Sequence, residues 1–314
     1  MNERILVLGG AHIDRRGRIH GEAVPGASNP GSWFEEAGGG GFNAARNLAR
    51  LGLDVGIISP RGGDAEGETV SQAAEQAGVD DMPFVFLDRR TPSYTAILEA
   101  DGNLVIALAD MDLYALFSPR RLQARQVRDR IEAASRLVCD ANLPAETIAR
   151  LAETAAERNL PLSGIAISPA KVKRYRSALP QMRQLFLNEA EAAVIAGERP
   201  GDERRWPSLL RAAGLRAGAV TRGAGRAILF DGDEAVALAP PPVEALADVT
   251  GAGDSFAAGI MAAQIAGLPL AEAIRWGTAA ALITVVSPLA CAPDLSPAGL
   301  ERVLTLVPAA EILS

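Results

Sequence analysis

Lysine is almost missing from this chain of 314 residues; Lys171 and Lys173 are the two it has, and arginine supplies the rest of its 31 basic side chains. Neither lysine follows a Gly-x-x-x-x-Gly and precedes Ser or Thr, so a P-loop is excluded by counting. Histidine and cysteine are equally scarce, and His12, His20, Cys139 and Cys291 show no zinc-ligand spacing. The two cysteines lie far apart and read as free thiols of a reducing compartment rather than a disulfide framework. A catalytic triad built on a histidine has no motif around it. Long apolar runs are missing too, since no stretch approaches the roughly 18 residues of a membrane span. The run Ile5–Leu8 is followed by Asp14, Arg15 and Arg16 before it reaches the length of a signal-peptide core. A cytoplasmic protein with no membrane partner is expected. An excess of acid over base, 38 to 31, argues against a nucleic-acid polymer as partner.

What is present suits a large core: 48% of the residues are apolar. One α/β domain over 1–314 with a small appendage fits this length. Ile5–Leu8 ending in Gly9-Gly10 reads as a buried strand and tight loop. Val55–Ile58 reads as another strand. Helical patterns cover 43–51 and 69–77, stopped by Gly52 and Gly78. Ser93–Leu98 and Leu104–Ala107, separated by Asp101-Gly102, form a hairpin pattern. From about residue 120 strands alternate with helices: Leu137–Cys139, 161–167, Leu185–Leu187, Gly218–Thr221 and Ala227–Phe230, with helices at 145–158 and 189–196. This alternation predicts a doubly wound, mostly parallel sheet with helices on both faces. Two more helices are expected at 252–266 and 270–286, and Pro240-Pro241-Pro242 reads as a stiff loop. The weak strands of 12–35 and the hairpin within 91–112 do not fit the alternation and predict a small antiparallel β lid.

The sharpest motif is Asp248-Val249-Thr250-Gly251-Ala252-Gly253-Asp254-Ser255-Phe256. Small residues leading into an apolar helix let several backbone N–H groups converge at a helix N-terminus. Such a place stabilises an anion, including charge developing on a transferring phosphoryl group. Asp254, in the first turn, could accept a proton from a substrate hydroxyl; the plainer reading is a helix cap. The loop is no dinucleotide fingerprint, because Phe256 stands where the third glycine belongs.

Together with three further motifs, this segment resembles the signature of the ribokinase-like (PfkB-type) carbohydrate and nucleoside kinases. Gly38-Gly39-Gly40-Gly41-Phe42-Asn43 is similar to that family's N-terminal Gly-Gly-x-x-x-Asn element. Asn188-Glu189-Ala190-Glu191 resembles its Asn-x-x-Glu motif, and Thr221–Arg226 its loop along the nucleotide. The resemblance covers nearly the whole chain. Within the family, the short segments 28–31, 91–95, 109–112, 139–142, 168–171 and 293–296 are most similar to pseudouridine kinases.

The resemblance implies transfer of a phosphoryl group from ATP to a sugar 5′-hydroxyl. Asp254 would be the base, and the N–H groups of Gly251, Ala252 and Gly253 the anion hole. Asp14, Gly39, Gly40 and Asn43 would bind the sugar, although Asn43 could instead cap a helix. Asn29, Thr95 and Asn142 are candidates for the lid and base edge, and Lys171 for a phosphate. Glu191 would act through water on Mg²⁺ with Asn188 beside it; its plainer reading is a solvated helix face. Thr221, Gly223 and Gly225 would line the nucleotide. Asp248 and Thr250, with carbonyls near Ser287 and Cys291, resemble a monovalent-cation site, which implies activation by K⁺. A homodimer through the lid is expected.

Two departures stand out. Ile165-Ala166 replaces an Asp-Pro pair expected before Ser168, and the stretch 288–292 lacks asparagines expected before Pro293. Another nucleoside or a free sugar as acceptor therefore stays open, as does a non-catalytic ligand sensor.

Overall fold

The computed structural model describes residues 3–313. In chain order the strands are β1 (Arg4–Leu8), β2 (His12–Ile19), β3 (Gly31–Gly38), β4 (Asp54–Ile58), β5 (Pro60–Gly62), β6 (Asp80–Asp81), β7 (Phe84–Phe86), β8 (Ser93–Leu98), β9 (Leu104–Asp110), β10 (Arg136–Asp140), β11 (Leu162–Ile165), β12 (Gln184–Asn188), β13 (Ala217–Thr221), β14 (Ala227–Asp231), β15 (Glu234–Leu238) and β16 (Glu311–Ile312). The helices are α1 (Gly40–Arg50), α2 (Ala65–Gln76), α3 (Pro119–Leu122), α4 (Arg125–Ala133), α5 (Ala145–Glu157), α6 (Glu189–Ala196), α7 (Trp206–Ala212), α8 (Ala252–Ile265), α9 (Leu270–Val285) and α10 (Pro297–Leu304).

The central sheet runs β16-β15-β14-β13-β12-β11-β10-β1-β4-β6. It is parallel from β6 to β13, and β14, β15 and β16 add antiparallel strands at one edge. Its strands read as continuous apolar runs because both faces are covered. Alternate residues feed two cores. Ile5, Val7 and Val138 pack with residues of α1, α8 and α9. Leu6, Leu8, Leu137 and Cys139 pack on the other face with residues of α5 and α7. Among the described residues no helix is long and apolar enough to cross a membrane.

A second sheet, β3-β2-β8-β9, forms the lid. Two of its seams are antiparallel, but β2 pairs with β8 in parallel. The chain returns to the central sheet through α1 and β4 between those two strands, so no hairpin can join them. The β8–β9 hairpin turns at Glu99–Asn103, with Gly102 at φ 92°. Every residue of β9 is exposed.

This topology places the loops after β1, β10, β11, β12 and β13 at one edge, the carboxyl ends of the parallel strands. Ligands of open α/β sheets bind there.

Candidate active site

Asp254 sits at the third position of α8, and its helix is capped by backbone alone: Gly251, at φ 78°, is the N-cap and no side chain bonds to the first turn. Only glycine fits there, since a Cβ would collide with the Ala290 carbonyl. Asp254 is therefore not a cap. Its Oδ2 accepts from Asn43 Nδ2 at 2.9 Å, and Arg46 donates to Asn43 Oδ1 at 2.7 Å. Asn43 lies inside α1, whose N-cap is Gly39, so Asn43 is no cap either; it orients Asp254.

The carboxyl is half-buried at the floor of a cleft. Burial pushes it up to about 7, the negative charges of Asp140 and Glu191 add to the rise, and the Asn43 amide and Arg46 oppose it. A carboxylate so placed is a far stronger base near neutral pH than an ordinary aspartate. Of the three residues expected to form the anion hole, Ala252 is committed elsewhere: its N–H donates to Val249 O at 3.2 Å. Gly251 and Gly253 line the cleft.

That cleft has a volume of about 330 Å³ and runs from Ile165–Ile167 past Asp254 to Asn188, Glu191 and Thr221. Asn188 and Glu191 form a capping box on α6: Asn188 N–H donates to Glu191 Oε2 at 2.7 Å, and Glu191 N–H to Asn188 Oδ1 at 2.9 Å. Glu191 is buried, not a solvated face, and burial raises its carboxyl above the usual range against the opposing Asn188 N–H. With one oxygen committed to the cap, the other is left for a hydrated cation. That sparse donor set fits Mg²⁺, which keeps most of its waters and takes few protein ligands. No cluster of three metal-ligating side chains occurs among the described residues. Thr221 ends β13 opposite Asn188, and Gly223 and Gly225 shape the turn that follows.

Outside the lining of the cleft lies a residue to which the sequence reading assigned no role. Asp140, fully buried at the end of β10, accepts from Gly10 N at 3.0 Å, Gly41 N at 2.8 Å, Asn142 N at 2.9 Å and Asn142 Nδ2 at 2.8 Å. It thereby joins the glycine loop after β1, the start of α1 and the loop after β10. Asn142 in turn accepts from Lys171 Nζ at 2.6 Å. Burial lowers the Lys171 ammonium below its ordinary range, with Asp140 opposing and Arg174 adding. Lys171 thus stands beside the loop after β10. Asp14, on β2, meets His12 Nε2 at 3.2 Å, and His12 Nδ1 lies 2.9 Å from the Tyr114 hydroxyl. The sequence signals for Asp140 are its place at the end of an apolar strand and within the segment 139–142, neither of which gives it a role; His12 and Tyr114 have none.

At one end of the cleft stands a strained turn. Ile167 has φ 73°, and Ser168 N–H donates to Ala166 O at 2.9 Å across it. For a β-branched residue this is a true outlier. It directs Ile167 against Gly40, where any Cβ would collide with it, and Ile165 faces the same glycine. The departure at 165–166 is therefore an apolar wall of the cleft.

Three expected site residues do not join it. Asn29 spends its carboxamide on the lid loop, accepting from Val24 N at 2.8 Å and donating to the Val24 and Ala27 carbonyls. Thr95 is in register with Arg15, one residue off Asp14, so it lies on the opposite face of the lid from Asp14. Ser287 uses its hydroxyl to accept from Leu289 N at 3.1 Å.

At the expected monovalent-cation site the Asp248 oxygens already have partners. Asp248 Oδ1 accepts from Thr250 N at 2.8 Å and Thr250 Oγ1 at 2.7 Å, while Oδ2 is taken by the Arg16 guanidinium. Burial of Asp248 opposes ionisation, but these partners outweigh it and hold the carboxyl below its usual range. Arg50 Nη1 donates to the carbonyls of Cys291 and Ala292, each at 2.6 Å. Two guanidinium groups thus take oxygens of Asp248, Cys291 and Ala292.

Comparison with known proteins agrees with this geometry. A carbohydrate kinase from Agrobacterium tumefaciens is 59% identical, with a TM-score of 0.91 over 99% of this chain and 100% of that one. The pseudouridine kinase of Escherichia coli (strain K12) is 28% identical over 99% of this chain and 98% of its own. Arabidopsis thaliana ribokinase, in complex with ribose and ATP, shares the fold at a TM-score of 0.84 with 20% identity, covering 97% of this chain and 99% of that one. The model described as pfkB family carbohydrate kinase matches residues 2–297, and the chain belongs to that family.

Proposed function

We propose that this kinase transfers the terminal phosphoryl group of ATP to the 5′-hydroxyl of pseudouridine. The observation that carries the phosphoryl transfer is Asp254, held by Asn43 at the N-terminus of α8 and pushed up to about 7. Its carboxylate takes the proton of the acceptor hydroxyl as that oxygen attacks phosphorus. Positive dipoles of the Gly251 and Gly253 N–H groups meet the charge developing on the transferring group. The remaining catalytic terms are position and exclusion of water. ATP lies along Asn188 and Thr221. Mg²⁺, met through water by Glu191, supplies neutralisation of the phosphate charge.

The acceptor lies on the other side of Asp254. Asp14 takes ribose hydroxyls, and the apolar wall of Ile165 and Ile167 takes the sugar face. A uracil ring presents donors and acceptors, which the Asn142 amide and the Lys171 ammonium can match. The similarity of the short segments to pseudouridine kinases, and the 28% identity with one over 99% of the chain, favour this acceptor.

The lid supports a homodimer. Trp33, Ile106 and Leu108 are 55%, 65% and 70% exposed. Register puts all three on the Thr95 face, and one copy leaves this apolar patch uncovered.

A coupled ADP-release assay with Mg-ATP tests the acceptor. Pseudouridine, uridine, adenosine, ribose and no acceptor are compared. Selective turnover of pseudouridine is expected. Preference for another acceptor removes pseudouridine and keeps the kinase; acceptor binding without ADP release favours a sensor.

A further inference from the structure

Positive charge from within the chain meets Asp248, where the resemblance implies a monovalent cation. Arg16 lies on β2 of the lid and reaches the central domain. One of its terminal nitrogens meets Asp248, ahead of the anion-hole loop, and the other meets Glu36 on β3. The Phe34 ring stacks beneath the guanidinium, 4.8 Å from its centre. Each carboxylate it holds fixes a loop of the site. Asp248 orders the turn at Thr250 that leads into Gly251. Glu36 accepts from Ala290 N at 3.4 Å, and Gly251 packs against the Ala290 carbonyl. Without Arg16, Asp248 would lose its cationic partner and Glu36 would keep only the more distant Arg46. A guanidinium stays ionised at every working pH and donates in a fixed plane.

We propose that Arg16 is a positioning residue that supplies, from within the chain, the positive charge expected of a monovalent cation, so that the anion hole is ordered without K⁺. The inference rests on the kinase reading given above. Because Arg16 belongs to the lid, the charge cannot dissociate, and the seating of the lid and the ordering of the Gly251–Gly253 turn become one event. Arg50, closed over the Cys291 and Ala292 carbonyls, takes two further oxygens that a free ion could use.

The test compares about 0.1 M KCl with tetramethylammonium chloride at equal ionic strength, so that screening is matched. The first readout needs no catalysis: the thermal midpoint of the wild-type protein. It is expected to be the same in both salts within about 1 °C, because an ion that binds only the native state would raise it. A K⁺-specific rise of several degrees overturns the proposal. The second readout is ADP release with the acceptor that turns over. The wild-type rate is expected to agree within about twofold between the salts, and a larger gain with K⁺ overturns the proposal.

Arg16→Met is expected to lower kcat at least about tenfold with a smaller change in acceptor KM. Loosening the anion hole costs less than the roughly 10²–10³ seen when a donor is removed. Arg16→Lys, or K⁺ added to Arg16→Met, is expected to restore part of the loss. An unchanged Arg16→Met rate, or a loss that neither restores, overturns a charge-based role. Failure of every acceptor to release ADP would refute the kinase reading, while the wild-type melting comparison would still decide this one.

Discussion

Replacing Asp254 by Asn should make the protein more stable while removing its activity, and the gain should depend on pH. In the unfolded chain this carboxyl ionises near 3.8; in the folded protein it holds its proton to about 7. The native state therefore binds more protons between those values. Native stability owed to this group is fully present below about 3.8 and is lost as pH rises through 7. The difference corresponds to a ceiling of ~4 kcal/mol. Water in the cleft reaches the half-buried carboxylate and screens it, so about half, ~2 kcal/mol, is the expected gain for Asp254→Asn at pH 8.5. For a chain of this size that is a rise of about 3 °C in Tm. At pH 5 the wild-type carboxyl is largely protonated, and the advantage should fall to about a third. Asn43 can still donate to the new carboxamide oxygen, so no hydrogen bond is lost. Thermal melts of both proteins from pH 5 to 8.5 read the difference directly. An advantage that is absent, or that does not grow with pH, refutes the raised carboxyl.

Wild-type kcat/KM should rise with pH along a limb near 7, because the base must be ionised. Asp140→Asn removes a negative charge that raises Asp254, so the limb should move to lower pH; it also leaves buried N–H groups poorly matched, at a cost of about 2–3 kcal/mol in a denaturant titration. An unmoved limb would separate Asp140 from the base. Ile167→Gly releases backbone strain of about 1–3 kcal/mol but removes the wall facing Gly40. Its Tm should stay nearly level while acceptor KM rises severalfold; a large fall in Tm with unchanged KM contradicts this assignment. Leu108→Asp on the exposed lid face should convert a dimer to a monomer in sedimentation equilibrium, and a wild-type mass equal to one chain at all concentrations would refute lid pairing.

Much of this arrangement could be read from the sequence because it is local. The capping box of α6 lies within Asn188–Glu191, and α8 begins at the glycines that signal it. Buried strands such as Ile5–Leu8 were visible as apolar runs because both faces of a parallel sheet are covered. What escaped depends on contacts distant in sequence. Arg16 meets a carboxylate 232 positions away, and Asp140 gathers N–H groups from three loops. No periodicity encodes such meetings. The same holds for Asp254: its motif marks a base, but the rise to about 7 comes from burial and from Asp140 at the end of β10 and Glu191 in α6. The lid is legible as a small separate sheet, but the facing of its residues is not, for a related reason. Alternation along β8 was legible, but which face carries Thr95 depends on its parallel register with β2.

The most direct test of the central claim is single-turnover transfer of labelled phosphate from ATP to the preferred acceptor by wild-type and Asp254→Asn proteins, with acceptor affinity measured by calorimetry. The account expects affinity within about threefold and transfer reduced by at least about 10³, the scale of a lost general base together with its positioning. Transfer by the Asn variant at a rate comparable to wild type would contradict it.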